Sequence, residues 1–146
     1  MAITTNAITN SFKEDLLNGL HDFAVGTGDT FKLALYNSSA TIGADTTSYA
    51  VGISGQVGDS GQYSAGGGAL VNALVSVNGT TAFVSFDNLS FTGVTLTAAG
   101  ALIYNDTESD KSVCVLDFGG DKTATAGTFT IQFPAANNTQ AIIRIS

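Results

Sequence analysis

The sequence predicts a mainly β fold: an antiparallel β-sandwich, jelly-roll-like, with one short N-terminal α-helix. Three observations carry this. Apolar residues alternate with a period of two from Thr30 onward, the signature of strands with one buried face. Turn residues interrupt these runs every 8 to 12 residues or so, the spacing of sandwich strands. The 146-residue chain is 44% hydrophobic, with nine Phe and four Tyr, enough for one domain to pack a core without disulfides. The domain is expected over residues 11–146, behind a flexible arm of residues 1–10.

The helix comes first. Ser11 is placed to cap it, Glu14 three residues later completes a capping box, and Gly19 supplies a left-handed stop, which predicts a helix over residues 12–18. Phe12, Leu16, Leu17 and Leu20 then share one face, so so short a helix must lie against something. Phe31, Leu33 and Leu35 alternate with Lys32, Ala34 and Tyr36 and mark the first clear strand. The stretch from Ala40 to Gly68 is rich in Gly, Ser, Thr and Ala and reads as a long exposed excursion. Runs at residues 69–77 and 80–86 flank Asn78-Gly79, the pair that favours a type I′ hairpin turn. Further strands are expected through Phe91, Val94 and Leu96, with a bulge at Gly93, and then at residues 101–104, 113–118, 129–133 and 141–145. Pro134 ends the strand before it by removing a backbone donor.

Charge narrows the partners. Only 12% of residues are charged, and twelve acidic against five basic residues give a net charge of −7. Lys13, Lys32, Lys111, Lys122 and Arg144 are scattered, so neither nucleic acid nor an anionic membrane is an expected partner. A surface built from Thr, Ser, Asn and Gly has little side-chain entropy to lose on docking, which suits an assembly. The single Cys114 lies between Val113 and Val115 and reads as a core residue. The N-terminus lacks the charged and apolar regions of a secretory signal, so synthesis in the cytoplasm is the expectation.

Candidates for chemistry are few. His21 alone could take a proton in a Ser-His-Asp arrangement; its place just after the helix suggests packing, with neither catalysis nor a metal. Asp87, Asp106, Glu108, Asp110, Asp117 and Asp121 could in principle pair for glycoside hydrolysis, but most fall in expected turns. The 105–110 loop offers oxygens at alternate positions without the glycine and terminal spacing of an EF-hand. Residues 55–68 are Gly-rich without the Lys of a phosphate-binding loop. Sequons at Asn37, Asn78, Asn88, Asn105 and Asn137 follow from composition. No catalytic residue, metal or cofactor is expected.

The opening segments, Asp15-Leu16-Leu17-Asn18-Gly19-Leu20-His21-Asp22-Phe23 and Gly28-Asp29-Thr30-Phe31-Lys32-Leu33-Ala34-Leu35-Tyr36, resemble those of small structural proteins of tailed bacteriophages. Gly61-Gln62-Tyr63-Ser64-Ala65-Gly66-Gly67, Ala101-Leu102-Ile103-Tyr104-Asn105, Leu116-Asp117-Phe118-Gly119-Gly120 and Gly127-Thr128-Phe129-Thr130-Ile131-Gln132-Phe133-Pro134 resemble the same group in the same order. Size, acidity and the lone helix are most similar to capsid cement or decoration proteins. The resemblance implies a virion protein on the outer capsid surface, partnered by the major capsid protein and forming a homo-oligomer, with a trimer favoured. It carries over no functional residues. The candidate capsid or subunit contact is the helix face of Phe12, Leu16 and Leu17, with the arm. Two other readings compete: a tail or fibre module that binds host glycans through residues 55–68, and an enzyme acting on surface polysaccharide.

Overall fold

The computed structural model describes residue 3, residues 6–50 and residues 54–146. In chain order its elements are β1 (Ala7–Ile8), α1 (Asn10–Leu17), β2 (Phe31–Tyr36), β3 (Gly68–Ala69), β4 (Leu74–Asn78), β5 (Thr81–Ser85), β6 (Leu89–Asn105), β7 (Lys111–Ile131) and β8 (Ile143–Ile145). The fold is mainly β, with one short helix. One sheet has the order β1-β7-β6-β2-β3 and the other β4-β5-β8, and every pairing is antiparallel. Side chains of both sheets meet in one core, where Val84 and Ile143 of the small sheet join Leu33, Leu35, Ile103 and Val113 of the large one. Phe86, just past β5, lies 6.0 Å from the rings of both Phe31 and Phe133.

Four strands expected between residues 91 and 133 are two long ones. The small residues Ala98-Ala99-Gly100-Ala101 look like a break, yet they run through the middle of β6. A Cβ on Gly100 would lie 2.4 Å from the carbonyl oxygen of Leu116, so glycine here permits a close backbone approach inside a continuous strand. Register shifts between Phe91 and Val94, Val94 and Leu96, Ala98 and Gly100, and Ile103 and Tyr104 take up the mismatch between β6 and β7. The first of these contains Gly93 at φ 64°, where the bulge is expected.

Burial divides β6 in two. Up to Ala98 it alternates between buried and exposed, whereas Ala98–Asn105 is buried throughout. The cause is the 40–49 stretch of the expected excursion, which covers the second face of the large sheet, while Val57 and Tyr63 further along enter the core between the sheets. Ala40, Ile42 and Tyr49 pack with Ala34, Tyr36, Leu102, Tyr104 and Val115 in a core of their own. The excursion ends tightly against β2: at Gly67, φ 84°, a Cβ would be 1.6 Å from the carbonyl oxygen of Leu33.

Three local expectations are corrected. The helix is capped by Thr9, whose hydroxyl accepts the Phe12 N–H at 3.4 Å, not by Ser11. The Thr9 N–H donates to Val113 O, so the chain passes from β1 into α1 with no residue between them but the cap. At the other end Gly19 N–H donates to Leu16 O and Leu20 N–H to Asp15 O, a Schellman closure around the expected glycine. The flexible arm is also shorter than ten residues: β1 pairs Ala7 with Val115 and Ile8 with Cys114, and Asn6 Oδ1 accepts the Asp117 N–H at 2.7 Å. Residues 1, 2, 4 and 5 of that arm lie outside the described residues. Finally, Asn78 pairs with Thr81, so the hairpin loop is Gly79-Thr80 and only Gly79, at φ 63°, has positive φ. That is the pattern of a II′ turn, not I′.

Candidate functional site

The most concentrated polar chemistry lies where α1 meets the end of β6. His21 follows the Schellman turn and its side chain is 0% exposed, with the ring 4.8 Å from that of Phe12. The Asn105 amide nitrogen is 3.0 Å from His21 Nδ1 and 2.7 Å from Asp29 Oδ2, while its oxygen accepts the N–H groups of Thr107 and Glu108. An amide nitrogen can only donate, so Nδ1 accepts and the imidazole proton sits on Nε2, 3.6 Å from Asp15 Oδ2. Asp15 is buried too, and its other oxygen is 3.4 Å from Lys111 Nζ.

This tautomer fixes what the cluster can do. A second proton on His21 would set an N–H against the donating Asn105 amide. Burial lowers the His21 pKa below its ordinary value and outweighs the pull of Asp15. Lys111, not His21, is therefore the cation that balances Asp15. The ring is sealed from solutes and ties the helix exit to the β6–β7 loop.

The nearby hydroxyls form a separate network. Ser112, buried, donates to Thr46 O at 2.6 Å and is 2.8 Å from Thr9 Oγ1 and 3.1 Å from Ser11 Oγ. Among the described residues no hydroxyl or thiol bonds to His21. Burial pushes the Cys114 thiol up to about 12, far from the thiolate form a nucleophile needs. Three of the acids considered for hydrolysis have structural partners: Asp117 accepts the Gly119 N–H within β7, Asp87 the Asn72 amide, and Asp106 pairs with Lys32 of β2 at 3.2 Å. Among the described residues no three His, Cys, Asp or Glu gather as metal ligands, and no helix is long and apolar enough to cross a membrane.

The stretch proposed for sugar recognition, residues 55–68, is mostly exposed or half-buried, but its one tyrosine faces inward. Tyr63 is fully buried edge-on to Phe91, and its hydroxyl accepts the Leu35 N–H at 2.8 Å. Tyr49 stacks on Tyr104 with centroids 4.5 Å apart, and the Tyr104 hydroxyl donates to Gly66 O. Burial raises the pKa of Tyr36 and Tyr104 and carries Tyr63 to about 12.

Of the helix face proposed for contact, Phe12 lies in the core and Leu16 packs against it, whereas Leu17 is 91% exposed. Surfaces free to meet a partner lie elsewhere as well. A groove of about 660 Å³ runs beside β7, floored by Phe129, Ile131 and Phe133 and bordered by Lys122 and Arg144. β4 is exposed along its whole length, including Leu74, Val75 and Val77, and Ile145 of β8 is 56% exposed. Sequence reasoning assigned no role to β4. The available signal was charge: no charged residue falls between Asp59 and Asp87. Comparison with protein-family models, curated proteins and solved structures finds no match for this chain.

Proposed function

We propose that the chain is a structural docking protein of a tailed-phage virion, a capsid cement protein that binds the outer surface of the assembled major capsid protein shell. One observation supports this reading most: the residues with chemistry, His21 and Cys114, are enclosed, while large apolar side chains such as Leu17, Val75 and Val77 are left in water. Val75, Val77 and Ile145 share one face of the small sheet, and contiguous exposed apolar surface marks an interaction site. Of the segments that resemble phage structural proteins, 28–36 and 101–105 lie on the doubly covered part of the large sheet and 61–67 places Tyr63 in the core between the sheets, so part of that resemblance is to scaffold. A ligand that binds only the assembled lattice stabilises that lattice by mass action, and no turnover is required.

The test is to mix the purified protein with bare expanded capsids and to measure co-sedimentation and resistance to heat or chaotrope. Bound protein and a more resistant shell are expected. Failure of both would overturn the proposal. Leu17→Asp should weaken binding while leaving the melting temperature unchanged, since Leu17 contributes little to the core.

A further inference from the structure

β4 is an edge strand: among the described residues it pairs with β5 on one side and with no strand on the other. Edge strands are normally guarded against pairing with another chain by a Lys, a Pro, a bulge or an inward charge. β4, Leu-Val-Ser-Val-Asn, has none of these, and its pairing with β5 runs without a register shift from Leu74–Ser85 to Asn78–Thr81. It is also apolar on the face that continues the core. Val75 pairs with Val84, which pairs with the buried Ile143, whereas Val77 pairs with Ala82 and Ala82 with Ile145. Val77, Ala82 and Ile145 therefore extend the core face past the end of the core, into solvent.

We infer that β4 is a self-association site whose occupant is the β4 strand of a second copy of this chain, paired antiparallel about a twofold axis through Ser76. Charge selects the occupant. At a net charge of −7 two copies repel over most of their surface, but the stretch between Asp59 and Asp87 has no charge to repel or to attract an ionic partner. The strand is also self-complementary. With Ser76 opposite Ser76 of the second copy, each Val75 lies beside a Val77 on the same face, and Leu74 lies opposite Asn78. The result is a six-stranded sheet with the two apolar overhangs side by side. A twofold interface of this kind is the commonest in homo-oligomers. Paired five-residue strands cover less than the roughly 800 Å² per partner of a standard interface, so the dimer is weak in dilute solution and forms towards millimolar concentration. This inference does not depend on shell binding, and either can fail without the other.

Sedimentation equilibrium of the full chain from micromolar to millimolar concentration is the first test. The mass should rise from one chain to two, and Val75→Lys/Val77→Lys should weaken association by about tenfold or more with unchanged circular dichroism. A chain that stays monomeric, or one that forms a trimer, would overturn the inference. Ser76→Cys gives an independent reading should the lysine variant misfold. Directly opposed strand residues are close enough for a disulfide, so Ser76→Cys should oxidise to a covalent dimer far faster than a Ser38→Cys control at an exposed loop position. Equal rates would contradict the twofold register.

Discussion

The large sheet is covered on both faces where β2, the second half of β6 and the first part of β7 meet, but on one face only where β6 and β7 run on past β2. The same strands thus show two burial patterns. Leu102 and Tyr104 point into the core under the 40–49 cover while Ile103 points into the core between the sheets. Ser90 and Thr97, by contrast, reach out only to cross-strand Thr130 and Thr123. The small sheet is barer still, since β4 buries no residue. A cover segment, not the strand sequences alone, buries one region on both faces, and its absence leaves the other with an exposed face.

Glycine substitutions should break this contrast most severely. Gly67→Ala pushes a methyl group into the Leu33 carbonyl at positive φ, and should cost more than about 4 kcal/mol or prevent folding. Gly93→Ala also sits at positive φ but meets nothing within 4 Å, and should cost only about 1–2 kcal/mol. Chemical denaturation of both variants checks the pair. Truncation comes next. Leu102→Ala leaves a cavity in the doubly covered region and should cost about 3–5 kcal/mol, against about 0.5 kcal/mol or less for the half-exposed Leu74→Ala.

The tyrosines sharpen the comparison within the covered region itself. Tyr63→Phe leaves the Leu35 N–H without its acceptor and should cost about 1–3 kcal/mol. The Tyr36 hydroxyl is buried without a partner among the described residues, so Tyr36→Phe should be neutral or stabilising by about 1 kcal/mol. If both variants lose stability equally, the hydroxyl assignments are wrong.

The smallest expected effect concerns pH. Unfolded His21 takes its proton near the ordinary 6.5, and folded His21 only at lower pH because it is buried. Between these values the unfolded state binds more protons, so stability is full above about 6.5 and declines as pH falls towards the folded pKa. His21→Gln can still accept from Asn105, and should remove this part of the slope in melting temperature against pH. An unchanged slope would place the titration elsewhere.

Much of the fold is legible in the sequence because alternation is a local signal. Phe31–Tyr36, the hairpin around Gly79, the bulge at Gly93 and the helix stop at Gly19 could all be read from short stretches. What could not be read depends on backbone approaching backbone. Gly100 and its alanine neighbours carry no periodicity, so a continuous strand looks like two. The stretch that leads from β2 to β3 comes closest to the sheet at glycine, as at Gly67, and its composition looks like that of a solvated loop. The cap at Thr9 was hidden because Ser11 and Glu14 offer the same motif two residues on. Of the proposed contact face only Leu17 is exposed, since Asp15, not Leu17, turns inward with Phe12 to meet His21 and Lys111.

Residue-resolved amide hydrogen exchange in dilute protein tests most directly whether one doubly covered region carries an open edge. The account predicts that the amides of Leu102, Ile103 and Val115 exchange only through global unfolding, while those of Leu74–Asn78 exchange orders of magnitude faster by local opening. Equal protection in the two regions, or fast exchange at Leu102 and Ile103, would contradict it.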